Sequence, residues 1–334
     1  MITQIEGGDY LDTRQKLISL LESNEDYISG EDISKQLGIS RAAIWKSVRN
    51  LKSEGYVIDA VTNKGYRLSA LSDPLNAETI NKYLGTDSDK FELEVHDSVM
   101  STNTMLKAKA DSAEDYHTII AANQTAGRGR MGRSFYSPAD SGIYLSVLLR
   151  PKLPAEQSLR ITTAAAVAAC RAIEACTDEK AQIKWVNDVF VRDRKVCGIL
   201  TEGSFNMENG GLDWAVMGIG FNIYEPEGGF PEDIKNIAGA VTQHRKRDLR
   251  SRLAAEFLRS FHALCQDLER GAYAEEYRRR SFLIGKPVNV LRGESITPAR
   301  VLDVDADCRL IVEYDDGTVA ALSSGEVSVR EKRN

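Results

Sequence analysis

The sequence contains no long apolar run and no recognisable export signal. No window of its 334 residues approaches the roughly 18 consecutive apolar residues of a membrane span. The segment from Met1 to Asp9 lacks the basic and then apolar layout of a secretory signal. These absences exclude a protein with helical membrane spans and predict a cytoplasmic protein that makes no membrane contact.

Residues that bind metals or form disulfides are also few. The five cysteines include no C-x-x-C pair, and only four histidines are scattered along the chain. Such an odd, dispersed set favours small buried thiols over a disulfide framework, and it excludes a zinc site, so we predict no metal-ligating residues. The cysteines are Cys170, Cys176, Cys197, Cys265 and Cys308.

Positive charge is not in excess, because the formal net charge is -6 at pH 7. This excludes broad, unspecific coating of nucleic acid, so any DNA contact requires a local basic patch. The content of 42% hydrophobic and 28% charged residues is ordinary for a globular protein. The length predicts two or three domains.

Residues 13–70 predict a compact helical unit that ends in a β-hairpin. Apolar faces formed by Leu17 to Leu21 and by Ile33 with Leu37 indicate the first two helices. Gly38-Ile39-Ser40 then supplies a turn glycine, a buried apolar residue and an N-cap serine. A third helix is expected from Arg41 to about Ser53.

The third helix has two distinct faces. Ile44, Val48 and Leu51 repeat at core spacing, whereas a second face is basic and aromatic. Two short strands between Tyr56 and Leu68 would place a basic wing beside this helix. The pattern predicts a winged helix-turn-helix, and a protein-interaction domain with a solvated basic face is the alternative. The predicted DNA-binding residues are Ser40, Arg41, Trp45, Lys46, Arg49, Lys52 and Lys64.

A larger α/β segment follows a break in the pattern near Ser72. Short turns between its strands favour a mixed sheet with helices on one side over a doubly wound parallel sheet. We predict domains at 1–71, 72–284 and 285–334, the last a small SH3-like β-barrel. The predicted long helices run from about Ser158 to Cys176 and from about Leu249 to Glu269, and the predicted strands span 118–122, 143–149, 183–185, 189–191, 196–201, 214–221, 287–291, 299–304, 310–314, 318–322 and 326–329.

The run from Gly127 to Arg133 places three glycines and three arginines within seven residues. It matches G-x-G-x-x-G, but a strand-like segment follows it instead of the helix that a dinucleotide site requires. Arginine forks suit carboxylate or phosphate oxygens, and glycines permit close approach of the backbone. The run therefore predicts an anion-binding loop, with a solvated basic loop as the alternative.

A second informative run, from Lys184 to Glu202, predicts strand, turn and strand. Asn187 and Asp188 fall at its first break. Lys195 enters the strand after the second break, where it either points one compact charge into a site or lies exposed at an edge.

Two shorter segments suit a ligand that carries an uncharged polar group. Ser101-Thr102-Asn103 offers neutral hydrogen-bonding side chains, although the same residues also suit a helix cap. The segment from Gly218 to Asn222 lets a ligand lie against the backbone, or it ends a strand with packing glycines.

Taken in order, these motifs resemble the bifunctional biotin protein ligase and biotin operon repressor of bacteria. The likeness spans nearly the whole chain in the same domain order. Val186 departs from the proline usual in the family, and Phe135 stands where some relatives carry tryptophan. The motifs are Ser40-Arg-Ala-Ala-Ile44, Ser101-Thr-Asn103, Gly127-Arg-Gly-Arg-Met-Gly132, Lys184-Trp-Val-Asn-Asp188 and Arg194-Lys-Val-Cys-Gly-Ile199.

The resemblance implies that biotin and ATP, with magnesium on the phosphates, give biotinyl-5'-adenylate and pyrophosphate. The biotinyl group then passes to a lysine of the biotin carboxyl carrier protein. Because the first step joins two anions, it requires cations. The predicted catalytic residues are Lys195, Arg130 and Asp188, and the predicted biotin and adenylate ligands are Ser101, Thr102, Asn103, Gln124, Gly127, Arg128, Gly129, Arg130, Phe135, Lys195, Gly198, Gly220 and Asn222.

The resemblance also implies regulation, with the adenylate as a corepressor that favours a homodimer on a palindromic operator of biotin genes. Two other interpretations stay open. One is a biotin-sensing repressor without ligase activity, against which the intact Asp188 and Lys195 argue. The other is a lipoate or octanoate ligase, although the winged helix and the glycine-arginine loop favour biotin.

Overall fold

The computed structural model of the chain describes residues 6–154, 157–205, 210–292, 295–323 and 325–329. The chain divides into two compact units. The first unit comprises Met1–Leu75 and Arg245–Ser251, and the second comprises Asn76–His244 and Arg252–Asn334. Within the described ranges, no helix has the length and apolar character needed to cross a membrane.

The first unit has a helical core followed by a hairpin, as predicted. Leu17, Ile33, Ile44 and Leu51 are almost fully buried in one cluster, which confirms the predicted inner faces of the helices. Ile39 packs at the margin of this cluster and is half-buried, not buried as expected. The elements are α1 (Glu6–Glu22), α2 (Gly30–Leu37), α3 (Arg41–Ser53), β1 (Ile58–Val61) and β2 (Gly65–Leu68).

The hairpin is joined to the segment before α2 by backbone contacts. Ile28 and Tyr66 exchange two hydrogen bonds of 2.9 Å each. A Cβ atom on Gly65, whose φ is 104°, would overlap the backbone of Ile28. Glycine is therefore required at the start of β2, because any side chain would separate the wing from the helices.

The segment after the hairpin is buried and anchored within the first unit. Asp73 Oδ1 accepts a hydrogen bond of 2.9 Å from the backbone N–H of Arg250, and its Oδ2 accepts one of 3.0 Å from Arg250 Nε. Ser251 Oγ donates to Pro74 O at 2.7 Å. Since a buried ion pair requires such satisfied partners, these contacts fix Arg245–Ser251 against the residues that follow the wing.

A seven-stranded mixed sheet forms the centre of the second unit, with the order β3-β4-β5-β9-β8-β7-β6. β3 and β4 run parallel, and the other neighbouring strands run antiparallel, which confirms the predicted mixed sheet. The strands are β3 (Glu92–His96), β4 (His117–Ala121), β5 (Gly142–Leu149), β6 (Gln182–Lys184), β7 (Asp188–Val191), β8 (Arg194–Phe205) and β9 (Leu212–Asn222), and the helices after α3 are α4 (Ala77–Leu84), α5 (Thr102–Lys109), α6 (Leu159–Cys176), α7 (Leu249–Cys265) and α8 (Ala274–Arg280).

Helices pack on both faces of this sheet, so the expectation of helices on one side is wrong. Leu106 of α5 packs with Val216 of β9. Phe221, five residues along β9 and therefore on the opposite face, contacts Phe257 of α7 with ring centroids 5.6 Å apart. The sequence pattern missed α5 because its first turn consists of the polar residues Thr102 and Asn103.

The C-terminal strands form a separate five-stranded antiparallel sheet with the order β13-β12-β11-β10-β14. This confirms the predicted small β domain. Trp185 of the central sheet region donates a 2.9 Å hydrogen bond from Nε1 to the carbonyl of Cys308. The strands are β10 (Pro287–Arg292), β11 (Ser295–Val304), β12 (Leu310–Tyr314), β13 (Val319–Leu322) and β14 (Glu326–Val329).

The cysteines are free thiols, and all except the half-buried Cys265 are buried, as the sequence predicted. Burial raises the pKa of Cys170 to about 12 and the pKa values of Cys176 and Cys308 to about 11. Because the thiolate is the reactive form, these side chains act as small apolar groups of the core.

Candidate active site and nucleic-acid interface

The first turn of α5 presents three neutral polar side chains to the central sheet. Ser101 caps the helix, since its Oγ accepts from the backbone N–H of Thr104 at 3.4 Å. Thr102 and Asn103 follow on the first turn, and all three predicted residues are buried. Ser146 Oγ lies 2.8 Å from Thr102 Oγ1 and 2.6 Å from Asn103 Oδ1. The predicted cap and the predicted polar cluster are therefore the same structure.

Gln124 is oriented by contacts on both sides of its carboxamide. Its Oε1 accepts from the backbone N–H of Thr102 at 2.9 Å and from Thr102 Oγ1 at 3.1 Å. Its Nε2 donates to Ser137 Oγ at 3.0 Å, and Ser137 donates in turn to the carbonyl of Phe135 at 2.9 Å. This network fixes Gln124 between α5 and the end of the glycine-arginine loop.

The glycine-arginine loop, residues 127–133, is closed by its own backbone. Phe135 N–H donates to Gly127 O at 2.9 Å, and Gly129 N–H donates to Arg133 O at 2.7 Å. Arg130 Nη1 donates to Asn187 Oδ1 at 3.0 Å, and its Nη2 donates to the carbonyl of Gly325 at 3.3 Å. The loop therefore holds one of its arginines through partners that are distant in sequence.

Lys195 enters β8 beside the polar turn, as its position in the sequence predicts. Its Nζ lies 2.7 Å from Asp188 Oδ1, and the lysine side chain is 28% exposed. Backbone contacts fix its position, because Lys195 N–H donates to Ile237 O at 2.8 Å and Gly239 N–H donates to Lys195 O at 2.9 Å. This is a half-buried, anchored cation, which differs from the expected behaviour of a solvated edge lysine.

One cavity joins α5, the glycine-arginine loop and the start of β8. Its wall is neutral and polar around α5, and it is cationic where the loop meets β8. The predicted residues that line it are Ser101, Thr102, Asn103, Gln124, Arg128, Gly129, Arg130, Phe135, Lys195, Gly198 and Gly220. Five further lining residues were not among the predicted site residues, although two of them belong to the segment that the sequence offered for a ligand against the backbone. They are Asn187, Ile199, Leu200, Gly218 and Ile219.

The floor of the cavity consists of strand glycines covered by the protein's own side chains. A Cβ atom on Gly218 would overlap Asn103, and one on Gly220 would overlap the ring of Phe135. Phe135 also meets Tyr144 edge to face, with ring centroids 6.3 Å apart. The cavity volume is about 50 Å³, below the roughly 300–1,000 Å³ usual for ligand pockets. A ligand of biotin size therefore requires the loop or Phe135 to move.

Three predicted residues lie outside this cavity. Gly127 packs against the carbonyl of Phe135, and Asn222 is buried where β9 ends. Asp188 lines an adjoining cavity of about 110 Å³, which shares Arg130 and Lys195 with the first and is also lined by Lys184. Asp188 thus contacts Lys195 from the adjoining cavity.

In the first unit, α3 displays the predicted basic face. Ser40 caps the helix by accepting from Ala43 N–H at 3.2 Å, and Trp45 is 58% exposed. The Arg49 guanidinium lies 5.7 Å from the centroid of the Trp45 ring, and Arg41 pairs with Glu31 at 3.4 Å.

The other predicted DNA-binding residues lie on α3 and in the wing. Lys46 and Lys52 are exposed on α3, and Lys64 lies in the hairpin turn. Lys64 Nζ is 5.9 Å from the centroid of the Tyr27 ring, which Arg67 also contacts at 4.6 Å. Two cations of the wing therefore share one aromatic support.

Comparison with known families assigns a model to each part of this architecture. The HTH domain matches residues 13–67, the biotin/lipoate A/B protein ligase family matches residues 95–222, and the biotin protein ligase C terminal domain matches residues 283–330. The biotin protein ligase from Aquifex aeolicus, solved in complex with biotin and ATP, shares the fold. It is 24% identical with a TM-score of 0.60, and the alignment covers 72% of this chain and 99% of that one.

Curated relatives share the sequence over most of its length. The bifunctional ligase/repressor BirA of Bacillus spizizenii is 37% identical over 232 residues, which cover 69% of this chain and 71% of that protein. BirA of Escherichia coli K12 is 29% identical over 319 residues, covering 94% and 96%. The biotin–[acetyl-CoA-carboxylase] ligase of Mycobacterium tuberculosis is 31% identical over 273 residues, covering 77% and 96%. The chain therefore belongs to the biotin protein ligase family, in its group of bifunctional ligase/repressors, and the resemblance drawn from its motifs is confirmed.

Proposed function

We propose that this chain is an ATP-dependent biotin protein ligase and a biotin-responsive repressor. The observation that carries the ligase activity is the single cavity whose neutral wall at α5 continues into a cationic region formed by Arg128, Arg130 and Lys195. Such a cavity suits a ligand with an uncharged polar ring at one end and a carboxylate at the other. The named relatives support biotin as that ligand.

In the first half-reaction, a biotin carboxylate oxygen attacks the α-phosphorus of ATP and pyrophosphate leaves. Lys195 and Arg130 neutralise the two anions and hold them in line, which is the main requirement of phosphoryl chemistry. Both cations are already anchored, Lys195 by Asp188 and Arg130 by Asn187. Positioning of this kind lowers the entropic part of the barrier.

The neutral wall would hold the ureido ring and the valeryl chain. Ser101, Thr102, Asn103 and Gln124 supply the hydrogen bonds, and Gly198 and Gly220 let the ligand approach the backbone. Phe135 covers those glycines and would move aside to stack on the adenine ring. Ordering of the glycine-arginine loop over the adenylate would then exclude water.

Magnesium would reach the site with ATP. Two side chains beside the cations could offer oxygen atoms to the ion, and both already have partners: Asp188 is paired with Lys195, and Asn187 Oδ1 accepts from Arg130. This donor set suits an ion held mainly by phosphate oxygens and water. When bound, the ion would neutralise phosphate charge.

In the second half-reaction, the amine of an acceptor lysine attacks the carbonyl carbon of the adenylate and AMP leaves. The amine must be neutral, although a lysine near its ordinary pKa is protonated at pH 7. Asp188, which lines the adjoining cavity, would orient the amine or accept its proton. The carrier lysine is therefore expected to enter through that cavity.

The first unit would bind operator DNA of biotin genes. Arg41, Lys46, Arg49 and Lys52 of α3 would lie in the major groove, with Ser40 and Trp45, and Lys64 of the wing would contact the backbone. Biotinyl-5'-AMP would favour a homodimer that matches a palindromic operator. We propose the domain limits 1–71, 72–284 and 285–334, and action in the cytoplasm, where ATP, carrier and DNA occur together.

The first experiment is mass spectrometry of the purified protein after incubation with biotin and Mg-ATP. Retained biotinyl-5'-AMP is the expected result, followed by labelling of a carrier protein. Bound biotin without adenylate would indicate a sensor that lacks ligation. Absence of biotin binding, with binding of lipoate or octanoate instead, would indicate the other ligase of the family.

A further inference from the structure

Asn103 has both of its amide protons committed within the protein. Its Nδ2 donates to Glu202 Oε2 at 3.0 Å and to the carbonyl of Leu200 at 3.2 Å. Ser146 Oγ lies 2.6 Å from Oδ1 and donates its single proton there, because Oδ1 carries no proton, whereas Thr102 can supply its own proton to the 2.8 Å contact between the two hydroxyls. A carboxamide has two protons and two oxygen lone pairs. The second lone pair of Oδ1 is therefore the one position at which this side chain can still accept a hydrogen bond from a ligand.

Glu202 fixes the orientation of the carboxamide because an ionised carboxylate can only accept. Burial raises its pKa, but the hydrogen bonds from Lys107 and Asn103 and the charges of Lys107 and Arg128 hold the pKa below its ordinary value. If Asn103 turned over, its oxygen would face two acceptors, Glu202 and the Leu200 carbonyl. Unmatched acceptors of this kind are costly where water is excluded.

Lys107 holds the other end of the same carboxylate. Its Nζ lies 2.6 Å from Glu202 Oε1, and each side chain is 27% exposed. An ammonium group can only donate hydrogen bonds, so Lys107 requires an accepting oxygen of Glu202. Lys107 and Asn103 therefore need both oxygens of Glu202.

The remaining side chains of this wall leave donors for the ligand. Gln124 keeps one Nε2 proton after its bond to Ser137. Ser101 Oγ accepts from Thr104, and in the described part of the chain no contact uses its proton. Two donors beside one acceptor match a carbonyl oxygen next to an N–H group.

We infer that Glu202, supported by Lys107, is a positioning residue that makes Asn103 a hydrogen-bond acceptor and so selects a head group that carries an N–H beside a carbonyl. The inference rests on the proposed function, in which this group is the ureido ring of biotin. Glu202 and Lys107 act through Asn103 and do not line the cavity.

The first test is Glu202→Gln in the full-length protein. The single oxygen of glutamine cannot serve both Lys107 and Asn103, so the carboxamide of Asn103 turns and presents N–H to the ligand. We expect the KM for biotin to rise about tenfold, while kcat and the KM for ATP stay within about twofold. Glu179→Gln is the matched control, because Glu179 is 26% exposed and pairs with Arg192 at 2.6 Å.

The second test is a rescue. Adding Lys107→Met to Glu202→Gln frees the glutamine oxygen to accept from Asn103, so biotin should bind better to the double variant than to Glu202→Gln. A role in charge or stability alone predicts the reverse order. An unchanged biotin KM in Glu202→Gln, or a double variant weaker than the single one, would overturn the inference.

Calorimetry with biotin alone provides the same ranking of variants without turnover. If the protein binds biotin but makes no adenylate, the proposed catalysis is contradicted, but the role of Glu202 can still be tested. If it does not bind biotin, both the proposed function and the role of Glu202 are overturned. Thermal unfolding checks each variant. If Glu202→Gln does not fold, Glu202→Asp replaces it, because the shorter carboxylate withdraws from Asn103. An unchanged biotin Kd in that variant would equally overturn the inference.

Discussion

The basic face of α3 and the Arg130–Lys195 region of the cavity both gather positive charge, but they hold it differently. On α3, Arg41 is 73% exposed and pairs with Glu31 at 3.4 Å. In the cavity, Arg130 donates to Asn187 at 3.0 Å, and Lys195 lies 2.7 Å from Asp188. Exposed pairs contribute little to stability, whereas half-buried ones with several partners define positions.

The difference fits the function proposed for each surface. Duplex DNA offers many equivalent phosphates, so its cations gain most from charge and freedom to adapt. A reacting carboxylate and α-phosphate must meet in one geometry, so their cations gain from being fixed. The hydrogen-bond and ion-pair partners of a basic residue therefore distinguish a binding face from a reaction site better than the presence of the residue alone.

Replacing Lys195 with alanine should produce the largest difference between the activities of the two surfaces. Because Lys195 is the anchored cation at the proposed reacting end, we expect adenylate formation to fall on the order of 10³-fold, with operator binding by the apo-protein unchanged. Pyrophosphate release measures the first effect. Lys152→Ala, which removes an exposed lysine, is the control. Retained turnover in Lys195→Ala would remove the residue from the mechanism.

Asp188→Asn should divide the two half-reactions within the second unit. Asparagine keeps the shape but cannot take a proton from the acceptor amine, so transfer from preformed biotinyl-5'-AMP to the carrier should slow by about 10²-fold. Adenylate formation should fall less. Single-turnover transfer in a quenched-flow assay measures this, and equal losses in both steps would assign Asp188 to holding Lys195 alone.

Arg41→Ala combined with Arg49→Ala tests the other side of the comparison. Loss of two cations from the proposed DNA-binding face should weaken operator binding about thirtyfold and lower the slope of log K against log salt by about 2. Biotinylation should be unaffected. Lys16→Ala, which changes an exposed lysine of α1, serves as control in the same gel-shift titration. A matching loss of ligation would show that the two surfaces are not separable.

The smallest expected effect compares two arginines of one loop. Arg130 is half-buried and bonded to Asn187 and Gly325, whereas Arg128 is exposed. Adenylate dissociation should therefore accelerate about tenfold in Arg130→Ala and about threefold in Arg128→Ala. Stopped-flow release of the bound adenylate ranks them. The opposite order would mean that anchoring does not decide the contribution of an arginine here.

Much of the secondary structure could be predicted because the local spacing of apolar residues determines it. Ile44, Val48 and Leu51 recur at helical spacing and are buried where expected. The strand β3, in contrast, was missed because polar and charged residues dominate Glu92–His96 at the edge of the sheet. Intrinsic β-propensity is a weak predictor for an edge strand, which pairs with only one neighbouring strand.

The site shows the same limit at longer range. Motif order identified Lys195 and the loop, but the contact of Arg130 with Gly325 joins residues that no local pattern connects. Asn187, which also lines the cavity, accepts from that arginine and donates to the carbonyl of Ile199 at 2.9 Å. Asn222 lay in a suggestive segment, yet it is buried at the end of β9 outside the cavity. Such assignments require tertiary contacts.

The burial of the thiols has a consequence for their reactivity toward peroxide. Oxidation to sulfenic acid and beyond proceeds through an accessible thiolate. Burial keeps the pKa of Cys170 at about 12 and that of Cys308 at about 11, so few thiolates exist at these positions for an oxidant to attack. The chemistry proposed for the cavity uses no thiol, so these cysteines serve the packing of the core and not the reaction.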